Sequence, residues 1–507
     1  MGRTKNASRN IIWGIINKVV SLVLPFICRT VLLYEMGAEY TGLGGLFGSV
    51  LQVLSLAELG FGTAIVYSMY KPLAEEDTPK VCALLNFYKK VYHIVGALIL
   101  AIGVILVPFL QYLIKGTSPE GINIYVLYFI YLFNSVISYF LFSYKCSLLI
   151  AAQRNDISLK IGLFVTTAMY AGQIAVIILF HNYYVFALVM PLMTIINNIV
   201  TAQVATRRYP QYVCRGQLDK SEIKILKDNT TAMLFYKIGD VIQKSFDNIV
   251  VSAFMGLSLL TVFQNYNYIQ TSVAAFLTMI VSSILASVGN SIAVESVEKN
   301  YRDFNKFTLI YMLISGWGTV CMVCLYQPVM KLWVGEELLL PMELAVLFAV
   351  YFYAARIGDI CYTYRQAAGL WKYDKWRPII ESVTNLALNI WWIQTIGMSG
   401  VLLSTIVCSV FITFTWGTIV LFKYYFGKSP RHYVASQIYY ALMTVIVCGI
   451  TYRCCEFVTL DGMAGILVRL VICVFVPAIA FGVMLFWRSE YKDAKDFVFG
   501  KLLHGSR

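Results

Sequence analysis

Long apolar stretches separated by short polar segments run along almost the whole chain. Fourteen of them have roughly the 20 residues that a helix needs to cross the hydrocarbon core of a bilayer. Each should be a helix, because an isolated strand cannot satisfy its backbone hydrogen bonds in lipid. The pattern therefore predicts an all-α integral membrane protein. The predicted spans cover residues 10–34, 42–70, 86–114, 121–148, 158–180, 184–206, 229–254, 260–294, 304–330, 342–364, 378–396, 399–422, 432–453 and 462–487.

The composition agrees with this pattern. Of the 507 residues, 59% are hydrophobic and 13% are charged, whereas soluble proteins are about half apolar and about a quarter charged. These values exclude an ordinary soluble enzyme and a disordered chain. The net charge of +13 does not indicate nucleic-acid binding, because the basic residues are concentrated in the loops on one side of the predicted membrane. We therefore expect no nucleic-acid partner.

Successive loops alternate in charge along the chain. The loops on the side of the two termini hold 31 of the 40 Lys and Arg residues, and the opposite loops hold Lys115, Lys331 and Arg453 together with several acids. Cytoplasmic loops of membrane proteins are enriched in basic residues. Because an even number of spans places both termini on one side, we predict a multi-pass protein of the cytoplasmic membrane with both termini in the cytoplasm.

A polar and basic linker, residues 207–228, is the longest segment between two spans. It separates a predicted N-lobe, residues 1–206 with spans one to six, from a predicted C-lobe, residues 229–426 with spans seven to twelve. Residues 427–507 then hold two additional spans and a basic tail. Many transporters are built from two such repeated bundles.

A comparison of the two lobes with each other supports a repeat. A shift of 219 residues places Met36–Gly37 on Met255–Gly256 and Lys18 on Lys237, and the six spans of each half fall in step. Because six is even, the two lobes should be parallel repeats related by an axis along the membrane normal.

Charged residues lie inside several of the predicted spans, away from their ends, where a charge is costly unless it faces water or an opposite charge. In spans one, seven and ten, several of them share one helical face. The candidate substrate-binding residues are the cations Lys18, Arg29, Lys237, Lys244 and Arg356. The candidates for ion coupling are the acids Glu58, Asp240, Asp247 and Asp359.

These faces predict a wet cavity between the two lobes with an excess of positive charge. Such a cavity favours an anionic ligand, because Lys and Arg donate charge-assisted hydrogen bonds to phosphate. Span one contributes Lys18, Ser21, Pro25 and Arg29, and the proline should bend that helix. The polar run Gln264–Gln270 of span eight should face the cavity on at least one side, where it binds sugar hydroxyls or else hydrogen-bonds to neighbouring helices.

Internal ion pairing is the alternative interpretation of these charges. Lys237 with Asp240 and Arg356 with Asp359 are spaced i, i+3 and can pair within one helix face. No acid shares the face of the cations in span one, so this alternative is weaker there. Glu381 lies close to a cytoplasmic end and is interpreted as an interfacial residue.

The cysteines and Arg469 add no site to this picture. Most of the 12 cysteines lie inside apolar spans, as small hydrophobic residues do. Cys321 and Cys324 form a CxxC motif, but no second pair accompanies it, so that a metal or redox site is not favoured. The sequence gives no interpretation for the adjacent Cys454 and Cys455. For Arg469 it does not distinguish a contact with lipid headgroups from a structural role.

Three segments resemble a known family. They are AELGFGTAIVYSMYKPLAEED from Ala57 to Asp77, SVGNS at Ser287–Ser291, and Arg365–Thr405, which contains RQAAGLWKYDKWRPIIESVTNLALNI and GMSGVLLST. As a set they are similar to the polysaccharide-transport flippases, which carry O-antigen and capsule repeat units. These flippases belong to the multidrug/oligosaccharidyl-lipid/polysaccharide exporter superfamily. The resemblance covers essentially the full length of the chain and includes the number of spans.

This resemblance implies a fold of two six-helix lobes in a V with two further helices, in the bacterial inner membrane. It implies that the substrate is an undecaprenyl-pyrophosphate-linked oligosaccharide, which alternating access moves to the outer leaflet for surface polysaccharide biosynthesis. The expected partners are this lipid-linked oligosaccharide, membrane lipid and polysaccharide assembly proteins. We expect no cofactor and no metal, with H⁺ or Na⁺ as coupling ion. Individual cavity residues vary within the family, so the five cationic candidates rest on their placement in the spans.

Two other functions stay open. A drug or metabolite antiporter of the same superfamily should have an acidic, aromatic cavity for cations, whereas the stripe in span one is basic. A membrane glycan polymerase or glycosyltransferase is less favoured, because the outer loops are short and the chain has no nucleophile elbow, metal-spaced carboxylates or phosphate-binding glycine loop. We therefore expect a transport protein and not an enzyme.

Overall fold

The computed structural model describes residues 2–58, 61–116 and 118–486 of the chain. Within those ranges the description covers the backbone but not the side chains of residues 2–8, 11, 57, 58, 61, 63, 225, 227–238, 240, 242–244 and 286. Regular secondary structure in the described ranges is helical, as the apolar pattern predicts. The chain divides into two compact units, Met1–Thr261 and Val262–Arg507.

The first unit contains nine α-helices and the start of a tenth. Asn123 and Asn182 begin two of these helices, because each side chain accepts hydrogen bonds from two free N–H groups of the first turn. Short 3₁₀ turns at Ser55–Glu58 and Val107–Leu113 interrupt two of the apolar stretches. The helices are α1 (Gly2–Met36), α2 (Ala38–Leu54), α3 (Phe61–Ala74), α4 (Thr78–Leu106), α5 (Ile124–Phe140), α6 (Tyr144–Ala151), α7 (Asn155–Phe180), α8 (Tyr183–Arg208), α9 (Lys220–Met255) and α10 (Leu257–Val294).

The second unit begins within α10 and continues to the end of the described residues. Its largest fully buried side chains are aromatic, and Phe304 packs against both Tyr364 and Tyr433. The helices are α11 (Val297–Val334), α12 (Met342–Arg356), α13 (Asp359–Ala367), α14 (Trp371–Asp374), α15 (Arg377–Ile396), α16 (Met398–Val407), α17 (Thr415–Leu421), α18 (Arg431–Glu456) and α19 (Gly462–Leu485). Cys408–Phe414 and Phe422–Phe426 are π-helical, so that 398–426 is one long span.

Helical structure covers the described part of each of the fourteen predicted spans. Ten helical segments of the described chain are long and apolar enough to cross a membrane, and the number is eleven if α5 and α6, which are bent by 54° at their break, form one span. The other predicted spans are 42–70, 229–254 and 378–396. The first is divided at Ser55–Glu58, and much of the second lies among the residues whose side chains are not described. The third has the length of a span but carries Glu381 and several uncharged polar side chains, which lower its mean hydropathy.

The boundary between the compact units differs from the boundary predicted between the lobes. The units meet at Thr261 and Val262, within α10. Helix α9, which corresponds to predicted span seven, therefore belongs to the first unit. Its contacts explain this placement, because Asn248 Nδ2 donates to Ser49 Oγ of α2 (2.9 Å) and Ser245 Oγ donates to Gln52 Oε1 (3.3 Å). The predicted division at 207–228 stays a prediction.

The predicted repeat has a counterpart in backbone geometry. Gly37, between α1 and α2, has φ 98° and ψ 176°, and Gly256, between α9 and α10, has φ 92° and ψ 175°. These are the two positions that the 219-residue shift superimposes. A positive φ of this kind is strained for residues with a Cβ. The same sharp connection therefore follows the first helix of each predicted repeat.

Candidate functional site

Helix α1 carries the first predicted cationic face. It runs without a break through Pro25, whose missing N–H removes one backbone hydrogen bond. Lys18 is exposed, and no ion pair involves it among the residues with described side chains. Arg29 is half-buried, and its Nη2 donates to the carbonyl oxygen of Thr261 (3.3 Å). Lys18 is thus not neutralised by any described side chain, and Arg29 is held in place through part of its guanidinium.

The separation of Lys18 and Arg29 limits how they can act. They are eleven residues apart in one helix, which corresponds to about 16 Å along the axis at a rise of 1.5 Å per residue. A single phosphate group cannot contact both at once. The two cations are therefore two separate charged positions along one face of α1. This spacing would suit a long anionic headgroup or a ligand that moves along the helix.

The predicted acidic and basic positions of α9 and its neighbourhood are only partly described. Helix α9 is continuous through Lys237, Asp240 and Lys244, but these side chains lie outside the described residues, as does that of Glu58 at the end of the Ser55–Glu58 turn. Asp247 is buried in the first unit. It follows that the role of these positions stays a prediction.

Arg356 and Asp359 lie at a break within the predicted span ten. Helix α12 ends at Arg356 and α13 begins at Asp359, so that the cation meets a helix C-terminus and the anion a helix N-terminus, which both dipoles favour. Arg356 Nη1 is 3.4 Å from Asp359 Oδ2, and the hydroxyl of Tyr311 in α11 donates to the same oxygen. The i, i+3 pair that the sequence left open is therefore formed.

One part of this site retains unused hydrogen-bonding capacity. Arg356 Nε is buried and has no hydrogen-bond partner among the described residues. The Arg356 side chain is 19% exposed to solvent and the Asp359 side chain is 27% exposed. The second unit thus presents a partly accessible ion pair at a helix break, the kind of position at which membrane transporters bind substrates and ions.

The polar run of span eight is partly buried within the protein. Asn265, Tyr266 and Gln270 are buried. The Tyr266 hydroxyl donates to Gln327 Oε1 of α11 (2.9 Å), and Tyr326 donates to the carbonyl oxygen of Tyr266 (3.0 Å). Helix–helix hydrogen bonding, one of the two alternatives from the sequence, is therefore confirmed for Tyr266.

A buried charge cluster around Asp374 escaped the sequence analysis. Asp374 Oδ1 lies 2.7 Å from Arg365 Nη1 and 3.0 Å from Arg377 Nε, and Arg377 Nη1 lies 2.7 Å from Glu381 Oε2. All four side chains are buried, so Glu381 is an ion-paired residue of the protein interior, and its position relative to the membrane surface stays a prediction. The spacing of Asp374, Arg377 and Glu381 at i, i+3 and i+7 is the signal that was available.

A second buried acid, Asp156, was also missed. It is fully buried at the start of α7, where Arg154 Nε donates to its Oδ1 (2.8 Å) and Arg9 Nη2 lies 3.4 Å from its Oδ2. The Asn10 side chain accepts from the Asp156 N–H (2.7 Å). These contacts fix the first part of α1 against α7 and so orient the face that carries Lys18.

Comparison with known proteins places this architecture. No protein-family model and no curated protein sequence matches the chain. A solved structure titled lipid II flippase MurJ, inward closed conformation, superposes with a TM-score of 0.66 at 15% identity, over 94% of this chain and 99% of that one. A multidrug resistance MATE family transporter of the MOP superfamily, inward-facing, superposes with a TM-score of 0.58 at 16% identity, over 78% of this chain and 94% of that one.

The outward-facing conformation of a MATE family transporter gives a TM-score of 0.55 at 14% identity. The chain has the fold of these MOP proteins. Together with the long apolar helices of the described ranges, this fold makes it a multi-span membrane protein. The shared fold confirms the predicted all-α membrane architecture, and membership of the superfamily and of the polysaccharide-transport subfamily stays a prediction.

Proposed function

We propose that the protein is a flippase that moves a lipid-linked oligosaccharide, with its pyrophosphate, from the cytoplasmic to the outer leaflet of the bacterial inner membrane for surface polysaccharide biosynthesis. The observation that carries the proposal is a pair of cations, Lys18 and Arg29, along one face of the first helix in a chain with the fold of a lipid II flippase. The basic loops support cytoplasmic termini.

The charge of the candidate residues favours an anion over a cation. Lys18 is exposed on α1, and no acid lies on its face. An ammonium or guanidinium group binds phosphate through charge-assisted hydrogen bonds, about twice as strong as neutral ones. A headgroup that enters from the side places its pyrophosphate near these cations, while its prenyl chain stays in lipid. Polysaccharide assembly proteins are the partners that this role requires.

The ion pair in the second unit supplies a route to coupling. Asp359 is held by Arg356 and by the Tyr311 hydroxyl at the junction of α12 and α13. A proton or Na⁺ that neutralises Asp359 weakens its attraction to Arg356, and this frees the guanidinium for another anion. We propose Asp359 as the first of the four acidic candidates to test, and H⁺ or Na⁺ as the ion.

Reconstitution tests the proposed cargo directly. The purified protein is placed in liposomes that contain a fluorescent undecaprenyl-pyrophosphate oligosaccharide, and a membrane-impermeant quencher reports the fraction in the outer leaflet. We expect transfer between leaflets with the protein and none in protein-free liposomes. A drug or metabolite antiporter, which the MATE likeness keeps as second candidate, would instead accumulate a cationic dye and leave the glycolipid in place. That result would overturn the proposal.

Asp359→Asn tests the coupling site in the same liposomes. The amide keeps the shape and the hydrogen bond from Tyr311 but cannot exchange a charge, so transport should lose its dependence on an imposed H⁺ or Na⁺ gradient. The matched control is Asp303→Asn, because Asp303 forms an i, i+3 pair with Lys306 of α11 (2.6 Å) elsewhere in the same unit. If Asp359→Asn responds to the gradient as the wild type does, Asp359 is not the coupling acid.

A further inference from the structure

Three cysteines from three helices meet in the second unit. Cys324 of α11, Cys455 of α18 and Cys473 of α19 have their Sγ atoms within 4.8 Å of one another. All three side chains are buried, with 4%, 4% and 0% of their surfaces exposed. The sequence showed a CxxC motif with no second pair, and packing of α18 and α19 on α11 supplies the missing thiols.

The surrounding contacts hold these thiols in place. Trp317 Nε1 of α11 donates to the carbonyl oxygen of Cys473 (2.6 Å), which fixes the height of α19 against α11. Gly316 lies so close to α18 that an added Cβ would be 2.7 Å from Thr444 Oγ1. The cluster therefore belongs to a fixed three-helix contact.

The spacing fits a common metal ion. A metal–sulfur distance of about 2.3 Å places three sulfur atoms of a trigonal site about 4.0 Å apart. Sulfur atoms within 4.8 Å reach this spacing by small side-chain rotations. Histidine and carboxylate ligands are absent from this group among the described residues. Thiolates alone select soft ions, above all monovalent copper, whereas a structural zinc site needs four ligands.

We propose that Cys324, Cys455 and Cys473 form a binding site for monovalent copper or an equally soft monovalent ion. Binding replaces thiol protons, one for each thiolate formed. With two of the cysteines as thiolates and the third as a neutral thiol, a monovalent ion leaves one net negative charge, which is costly in a membrane unless it is compensated. The guanidinium of Arg469, four residues before Cys473 in α19 and bonded to the chain three residues after Cys455, compensates it.

This assignment also gives Arg469 a role. Its Nη2 donates to the carbonyl oxygen of Val458 (3.0 Å) in the connection between α18 and α19, so that the guanidinium is fixed near the cluster. A lipid-headgroup contact is not needed to explain it. The metal site ties the two additional spans to α11 and is independent of the proposed cargo.

Copper retention by the purified full-length protein tests the site. The protein in detergent, kept reduced, is loaded with Cu(I) and then challenged with a colorimetric Cu(I) chelator. We expect the wild type to retain one equivalent more than Cys473→Ser, and Cys324→Ser and Cys455→Ser to lose the same equivalent. The matched control is Cys361→Ser, because Cys361 is equally buried in the second unit but lies outside the cluster.

A second measurement guards against a variant that does not fold. Cd(II) added to the folded wild type should give a thiolate-to-metal charge-transfer absorption, and Cys361→Ser should keep it. Each cluster variant should lose this absorption even when its gel-filtration profile is the same as that of the wild type. The proposal is overturned if the wild type retains no more copper than Cys473→Ser, or if Cys361→Ser loses as much. Failure of glycolipid transport in liposomes has no bearing on this result.

Discussion

The double substitution Lys18→Ala with Arg29→Ala should abolish glycolipid transfer in the reconstituted system. Each side chain supplies one charge-assisted contact to the anionic headgroup, and such contacts contribute about 1.5–3 kcal/mol. Loss of both therefore removes about 3–6 kcal/mol, which corresponds to roughly a hundredfold to ten-thousandfold loss of affinity or rate. The measurement is the initial rate of transfer between leaflets, at equal amounts of folded protein.

The single variants refine this expectation. Lys18 and Arg29 lie on one face of α1 but far apart along its axis, so that they contact different parts of the ligand and their effects should add. Arg29→Lys keeps the charge and should retain most of the transfer rate. Arg29→Ala also removes the hydrogen bond to the Thr261 carbonyl. We therefore expect Arg29→Ala to slow transfer more than Lys18→Ala, and part of that difference to come from the altered structure.

Lys89→Ala with Lys90→Ala is the matched control. It removes two positive charges from α4 in the same unit, at positions that are half-buried and exposed, as Arg29 and Lys18 are. Transfer by this variant should stay within a factor of two or so of the wild type, because surface charges contribute little beyond a Debye length. Equal losses in the two double variants would show that only net charge matters and would exclude the α1 face as the binding track.

The helices were predictable from the sequence because a span surrounded by lipid has to satisfy its own backbone hydrogen bonds. A backbone that cannot bond to water must form helices, so apolar length alone located them. The Arg356–Asp359 pair could also be predicted as one of two alternatives, because the i, i+3 spacing can be read directly from the sequence. Local rules therefore gave the elements and this contact.

Contacts between distant helices were not predictable in this way. Asp374 follows Arg365 in a polar segment that looks like a solvated loop, and only the fold shows that both are buried. Cys324 and Cys473 are separated by most of the second unit, so that no local spacing links them. Helix α9 packs on α2 through Asn248 and Ser49, a pairing that the lobe division did not anticipate.

Asp374→Ala should have the largest effect on stability of any substitution in the second unit. Asp374 is 1% exposed and pairs with Arg365 and Arg377, and Arg365 lies against Gly417, where an added Cβ would be 2.8 Å from its Cζ. The guanidinium cannot move away, so loss of the carboxylate leaves a buried cation without compensation. Breaking a buried pair in this way costs about 3–5 kcal/mol.

Thermal unfolding in detergent, followed by gel filtration, measures this cost. Asp374→Ala should unfold far below the wild type, and Asp374→Asn should fall between them because the amide keeps the shape and one acceptor. Lys375→Ala, at the next residue but on an exposed side chain, should be unchanged. The double variant Arg365→Leu with Asp374→Ala should recover part of the loss, because replacing a whole buried pair by apolar groups removes the uncompensated charge. If Asp374→Ala were as stable as Lys375→Ala, the cluster would have no role in holding α13 to α15.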